Sequence, residues 1–137
     1  MRILVLDDDD VLARSAARGF ASEGHDVVTE RDPDAALELV GAGEEFDLIL
    51  CDRRMPTMYG DDFVDEVRAA LGTDAPLLAL MVDPNDGAAS SDVADRVLRK
   101  PLRTRELIAL VTAAHDAKAL RTHALTQRAT RLAMIAS

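Results

Sequence analysis

Ile3-Leu4-Val5-Leu6-Asp7-Asp8 is the stretch on which the fold turns. The apolar residues run without a polar break and stop abruptly at a pair of acids. A strand with one wet face alternates apolar and polar residues, whereas an unbroken apolar run of this length marks a strand covered on both faces. The motif recurs downstream. Phe46 to Cys51 runs into Asp52, and Pro76 to Val82 (PLLALMV) runs into Asp83. The short Val97-Leu98 leads to Lys100-Pro101, and the β-branched Val27-Val28-Thr29 supplies one more strand.

Helical patterns lie between these runs. Residues 11–23 carry Leu12, Ala16 and Phe20 at helical spacing, with Asp10 as N-cap and Gly24 as the stop. Asp32-Pro33 reads as an N-cap followed by proline at the first helical position, with Ala36, Leu37 and Val40 facing inward. Gly60 opens a helix that buries Phe63, Val64, Val67 and Leu71. Asn85 to Asp95, rich in Gly, Ala and Ser, is weakly helical at most, and from Arg103 onward everything is helical. Five strands alternating with helices predict an α/β domain with a doubly wound parallel sheet. Ligands of such sheets sit at the carboxyl ends of the strands, near the topological switch point.

Composition narrows the field. The chain has 137 residues, one domain's worth, and 48% of them are hydrophobic, enough for a core. Aromatics make up 3% with no Trp, which excludes a base-stacking nucleic-acid platform. The lone Cys51 excludes an intramolecular disulfide and a cysteine-based zinc site, and fits a reducing, cytoplasmic compartment. No apolar run reaches the length of a membrane span, and the acids after Leu6 stand where a signal peptide would need small residues. The net charge of −9 is unevenly placed: residues 100–137 carry +5, leaving −14 on the first 99. An acidic body repels nucleic acid and favours cations or basic partners.

Asp7, Asp8 and Asp52 meet at one rim of the sheet. A single acid there is ordinarily a helix N-cap. Several together repel and raise each other's pKa unless a cation lies between them. Oxygen ligands in small number suit Mg2+ with retained waters. Lys100, at the same rim, adds a point charge able to hold a phosphoryl oxygen. Carboxylate, divalent ion and lysine together make a site for phosphoryl transfer to an aspartate.

These residues resemble the receiver domain of two-component response regulators, over roughly residues 1–118. The resemblance is carried by Ile3–Asp8 with its acidic pair, by Asp52-Arg53-Arg54-Met55-Pro56-Thr57-Met58-Tyr59-Gly60, and by Lys100-Pro101. It implies a flavodoxin-like five-stranded parallel sheet of order 2-1-3-4-5. It implies Asp52 as phosphoacceptor, and Mg2+ held by Asp8, Asp52 and the backbone carbonyl of Arg54, with Asp7 acting largely through water. It implies that Lys100 contacts the phosphoryl group, that Lys100-Pro101 is cis, and that a histidine kinase or phosphotransfer protein is the phosphodonor. The domain would be a phosphoacceptor in signalling, not an enzyme with a separate substrate.

The chain departs from the family where the family reads the signal. The Ser or Thr at the end of strand four is Met81, whose thioether donates no hydrogen bond. The aromatic three residues before the lysine is Val97. The stretch from Met81 to Lys100 is about one helical turn short. Two functions compete: a phosphorylated receiver with an atypical readout, and a phosphorylation-independent pseudo-receiver acting as an interaction module. Arg54 and Asp83 flank the pocket and are expected either to pair as a lid over its mouth or to stand as solvated charges.

The C-terminal helical pattern runs from Thr104 towards Ala136 with no Gly or Pro to stop it, roughly 50 Å at 1.5 Å per residue. Leu107, Leu110, Val111 and Ala114 are expected on the sheet. Residues 119–137 then form a helical extension, a linker to an output domain or a dimerisation segment, with a thin stripe at Ala117, Leu120, Ala124, Gln127, Arg131 and Met134. It has no helix-turn-helix pattern, so direct nucleic-acid binding is not expected, and no membrane association is expected either. Asp7-Asp8-Asp9-Asp10-Val11 formally matches the D-x-D-x-V nucleophile motif of haloacid-dehalogenase-type phosphatases, but their further motifs are not in place. A flavodoxin-like FMN binder would need a Ser/Thr-rich phosphate loop after the first strand, and none follows it.

Overall fold

The computed structural model describes residues 1–87 and 90–136. Strands β1 (Arg2–Leu6), β2 (Asp26–Glu30), β3 (Leu48–Asp52), β4 (Leu77–Val82) and β5 (Arg96–Arg99) form one sheet in the order β2-β1-β3-β4-β5. All neighbours are parallel, with Leu4 paired to Val28 on one side and to Ile49 on the other. This is the flavodoxin-like arrangement. The three central strands are the apolar runs, and they are buried almost throughout.

Alternation along those strands sends side chains to opposite faces. Leu4, Leu6, Ile49, Cys51, Leu78 and Leu80 pack against α2 (Pro33–Gly41) and α3 (Gly60–Leu71). Ile3, Val5, Leu48, Leu50, Ala79 and Met81 pack against α1 (Asp10–Ser22) and α4 (Thr104–Ala136). The contact between α1 and α4 on the second face is close. Gly19 of α1 shows how tight it is, because a Cβ there would run into the Leu107 side chain of α4.

Three local readings are corrected. Asp9, not Asp10, caps α1, its carboxylate accepting from the amides of Val11 and Leu12 at 3.0 and 3.2 Å. Asp10 instead pairs with Arg14 one turn on, at 2.7 Å. On the inner face of α1, Phe20 and Ala16 pack on the core as expected, Ala13 joins them, and Leu12 is instead 37% exposed. The third correction concerns the strand–helix count. Among the described residues no helix joins β4 to β5, so the alternation is incomplete there. Residues 88 and 89 of this connection lie outside the described residues.

Helix α4 is a single element of 33 residues. Its first half is bound to the body: Leu107, Leu110 and Ala114 are buried, and Lys118 pairs with Asp47 at 3.0 Å. Arg121 donates to the carbonyl of Ala75 at 3.0 Å. Every residue from Thr122 to Ala136 is exposed, among them Leu125 at 61% and Leu132 at 60%. Residue 137 lies outside the described residues. Replacing the cap, Asp9→Ala, is expected to lower unfolding free energy by about 1 kcal/mol. Asp10→Ala should remove only a few tenths, about what an exposed helical ion pair contributes. Urea denaturation of the two variants measures the difference.

Candidate functional site

The site is built by the ends of three strands. Leu6 of β1 pairs with Cys51 of β3, so Asp7 and Asp52, the next residues, stand side by side at the carboxyl edge. The strand order switches sides here, β2 lying on one side of β1 and β3 on the other, which puts the topological switch point between β1 and β3. Lys100 follows β5, its amide donating to the carbonyl of Val82 at 2.8 Å. From there its side chain reaches across β4 to the acids. Its ammonium lies 3.1 Å from Asp52 Oδ1, 3.7 Å from Asp7 Oδ2 and 4.0 Å from Asp83 Oδ1. The Lys100-Pro101 peptide is cis.

Asp7 is fully buried, and Asp52 is 5% exposed. Carboxylate oxygens of Asp7, Asp8 and Asp52 lie within 4.8 Å of one another. Asp7 Oδ1 accepts from the amide of Asp9 at 2.9 Å, but its buried Oδ2 accepts no hydrogen bond from any described residue. Burial, with the charge on Asp52 adding to it, raises the Asp7 pKa from 3.8 to about 6, against the opposing pull of the Asp9 amide and Lys100. For Lys100, burial favours the neutral form, but the charges of Asp7, Asp52 and Asp83 outweigh it and raise the pKa. The lysine therefore stays protonated at neutral pH.

The loop after Asp52 is held against the sheet by its backbone. The amide of Arg53 donates to the carbonyl of Met81 at 2.9 Å, and the amide of Gly60 donates back to the carbonyl of Arg53 at 2.7 Å. Arg54 and Tyr59 form an antiparallel bridge across the loop, and Met55 is buried in the core beneath it. Gly60 sits so close that any Cβ would meet the Asp52 carbonyl, the Leu80 side chain and Arg53 Cα. Glycine is therefore required at this point on steric grounds alone. The main chain of the loop aims the Arg54 amide at Asp52 Oδ1, at 3.4 Å.

Met81 pairs in register with Asp52 and is 3% exposed, in the layer under α1 and α4. Val97 packs in the opposite layer with α2 and α3. The two positions thus serve opposite faces of the sheet. The expected pairing of Arg54 with Asp83 is not what the structure shows. Arg54 reaches Asp86 at 3.7 Å, while Asp83 faces Lys100. The physical reason is that the β4–β5 connection turns immediately after Val82, the amide of Asp86 bonding back to the carbonyl of Asp83 at 3.0 Å, which brings Asp86 to the loop.

A further set of contacts gave no signal in the sequence. Arg53 is 8% exposed, and its guanidinium binds Asp61 of α3 at 3.0 Å and the carbonyl of Ser90 at 2.6 Å. Ser91 donates to the same Asp61 carboxylate at 3.1 Å. Arg68 binds the carbonyl of Val93 at 2.6 Å and Asp95 at 2.8 Å. These bonds fasten to α3 a connection whose sequence was weakly helical at most.

A parallel 2-1-3-4-5 sheet with buried acids and a lysine at its carboxyl edge defines a doubly wound, flavodoxin-like α/β domain. The model of the response regulator receiver domain matches residues 3–112, and the chain belongs to that family. It is 36% identical over 123 residues to the transcriptional regulatory protein CutR of Streptomyces coelicolor, covering 82% of this chain and 52% of CutR. It is 33% identical over 116 residues to the response regulator MprA of Mycolicibacterium vanbaalenii, covering 82% of this chain and 49% of MprA. The chain thus spans about half the length of the curated relatives it matches. Its fold is shared with a response regulator receiver domain protein from Clostridium thermocellum, at TM-score 0.77 and 22% identity, covering 87% of this chain and 97% of that one. No helix among the described residues is long and apolar enough to cross a membrane.

Asp7 gives the site a pH signature. Its folded pKa, about 6, lies above the 3.8 of the free side chain, so the folded state binds more protons between those values. The contribution of Asp7 to stability is most favourable below pH 3.8 and is lost as pH rises through about 6. In EDTA, Asp7→Asn should therefore gain on the wild type between pH 4 and 7, by on the order of 2 kcal/mol. Urea denaturation of both proteins across that range checks the sign.

Proposed function

We propose that this chain is a receiver that accepts a phosphoryl group on Asp52 from a histidine kinase or phosphotransfer protein. The observation that supports the reading most directly is the Lys100 ammonium 3.1 Å from Asp52 Oδ1 in a cleft shared with Asp7 and Asp8. A pair of near-buried carboxylates beside a single lysine is under-neutralised. The orphaned Asp7 Oδ2 and the all-oxygen donor set fit a hard divalent cation. Asp8, Asp52 and the carbonyl of Arg54 would hold Mg2+, with Asp7 acting largely through water. When bound, the ion offsets charge on the transferring phosphoryl oxygens.

The chain's own residues supply the rest. Asp52 is the nucleophile: a carboxylate oxygen attacks phosphorus, the P–N bond of a phosphohistidine breaks, and the departing imidazole nitrogen takes a proton from water. The raised pKa of Lys100 keeps it cationic, positioned to bind a phosphoryl oxygen. Burial of Asp7 and Asp52 keeps bulk water from screening that attraction. The domain acts only on its own phosphorylation and dephosphorylation. The rival reading, a phosphorylation-independent interaction module, draws its support from Met81 and Val97, which remove the hydroxyl and the aromatic of the usual readout.

The body is residues 1–118 and the extension 119–137, although the hydrogen bond from Arg121 carries the body's grip slightly past the boundary. We read the extension as the contact to a second copy or to an output domain. Its exposed leucines, Leu125 and Leu132, lie a heptad apart and make a better seam than the stripe read from Ala117 to Met134. The acidic body leaves nucleic-acid contact to such a partner, and the buried, free Cys51 fits a reducing cytoplasm.

Incubation with Mg2+ and acetyl phosphate should add about 80 Da to the intact mass, the increment of one phosphoryl group on a carboxylate. Asp52→Asn should take up none; equal labelling of that variant would remove Asp52 as acceptor. Lys100→Ala should slow labelling by a factor on the order of 100, as expected for loss of one charge-stabilising donor. For the extension, light scattering at rising concentration should show self-association that Leu132→Asp abolishes. A monomer at all concentrations would assign the helix to an output domain.

A further inference from the structure

The connection from Asp83 to Asp95 has no helix among its described residues, 83–87 and 90–95. Four arginines hold it instead. Arg99 donates to the carbonyls of Pro84 and Asp86 at 3.2 and 2.7 Å, and Arg68 holds Val93 and Asp95. The other two, Arg53 and Arg54, follow Asp52 directly in the chain. One grips each half of the connection: Arg53 the carbonyl of Ser90, Arg54 the carboxylate of Asp86.

The two grips differ in kind. The Arg53 side chain is 10% exposed, with bonds of 2.6 and 3.0 Å to fixed partners. The Arg54 side chain is 61% exposed and stands 3.7 Å from Asp86. With its guanidinium solvated and 3.7 Å away, the Arg54 end of that pair is weakly held and easily exchanged. Meanwhile its own amide lies 3.4 Å from Asp52 Oδ1, so its side chain springs from the rim of the acceptor.

A phosphoryl group on Asp52 brings several strong acceptor oxygens and a charge of about −2. Lys100 can meet one oxygen, and Met81 offers no donor where the family has a hydroxyl. Guanidinium presents a planar fork of N–H donors suited to phosphoryl oxygens. We infer that Arg54 leaves Asp86 for the phosphoryl oxygens and so supplies the missing donor. The consequence falls on the first half of the connection. Asp86, whose side chain is 11% exposed, loses the Arg54 guanidinium. Asp83, 4.0 Å from Lys100, loses that cation as the lysine turns to the phosphoryl group. Both acids then face added negative charge, and residues 83–87 loosen, kept in place by the Arg99 bonds to the carbonyls of Pro84 and Asp86. Residues 90–95 stay fastened through Arg53, Asp61 and Arg68. Phosphorylation is thus read by redistribution of cations, in place of a hydroxyl–aromatic couple.

This inference rests on Asp52 being the acceptor, so its test measures both. The full chain is treated with Mg2+ and acetyl phosphate, and each sample is split between intact mass and hydrogen–deuterium exchange. Peptides covering 83–87 should exchange about fivefold faster in the phosphorylated protein, the change expected when weak ion pairs are lost from a locally opening segment. Peptides covering 90–95 should not change. In Arg54→Ala, 83–87 should already exchange faster without phosphorylation and gain little more with it; Arg54→Lys should respond only in part. An adduct on Asp52 with unchanged exchange at 83–87, or an Arg54→Ala variant that responds as the wild type does, overturns the inference alone. No adduct in the wild type overturns the acceptor assignment and the inference together.

Discussion

Asp7 and Asp52 are two carboxylates placed side by side with almost no access to water, and a single lysine is shared between them. Both lose hydration there, and the charge of Asp52 adds to the cost of ionising Asp7. The arrangement persists because the fold around it leaves no alternative. Parallel pairing of β1 with β3 puts the two acids in register, and apolar layers on both faces shut the strands in. Lys100 is delivered by a strand two places away, over the top of β4. The protein holds charges close together that would otherwise separate, which is the condition for a site that welcomes a cation and an anionic phosphoryl group.

The same rim is where this chain parts from its family. Receiver domains signal by coupling the acceptor to a surface some distance away. Here the side chain in register with Asp52 is a buried thioether, and the β4–β5 connection carries no helix among its described residues. Arginine side chains tie that connection to α3 and to the acceptor loop. A hydroxyl is a short, directional donor; an arginine is long, permanently charged and able to change partners. On the inference drawn above, replacing the first by the second would turn a packing-based coupling into an electrostatic one and make the connection responsive to charge at Asp52.

Much of this could be read from the chain alone. The unbroken apolar runs identify the buried strands, because only a sheet covered on both faces tolerates them. Asp32-Pro33 and Gly24 punctuate helices through backbone constraints that hold wherever they occur, and both behave as expected. Gly60 illustrates a reading that was right about place and incomplete about cause: it opens α3, but it is glycine because the backbone of Asp52 and Arg53 presses against it. The cap of α1 was misplaced by one residue because a run of four acids offers several carboxylates, and only backbone geometry selects among them.

Local chemistry therefore suffices for what depends on short stretches: which segments are strands, where helices begin and end, and which acids and lysine lie at strand ends. What it cannot reach are pairings between residues that no pattern links. Arg53 finds Asp61 across a tight loop, Arg54 finds Asp86 rather than Asp83, and Arg68 finds Asp95 from another element. Long charged side chains have several possible partners, and which one they take is set by where the backbone carries each end. The strand ends of the site follow from hydrophobic periodicity, which is a property of sequence; the cations around it follow from three-dimensional distance, which is not.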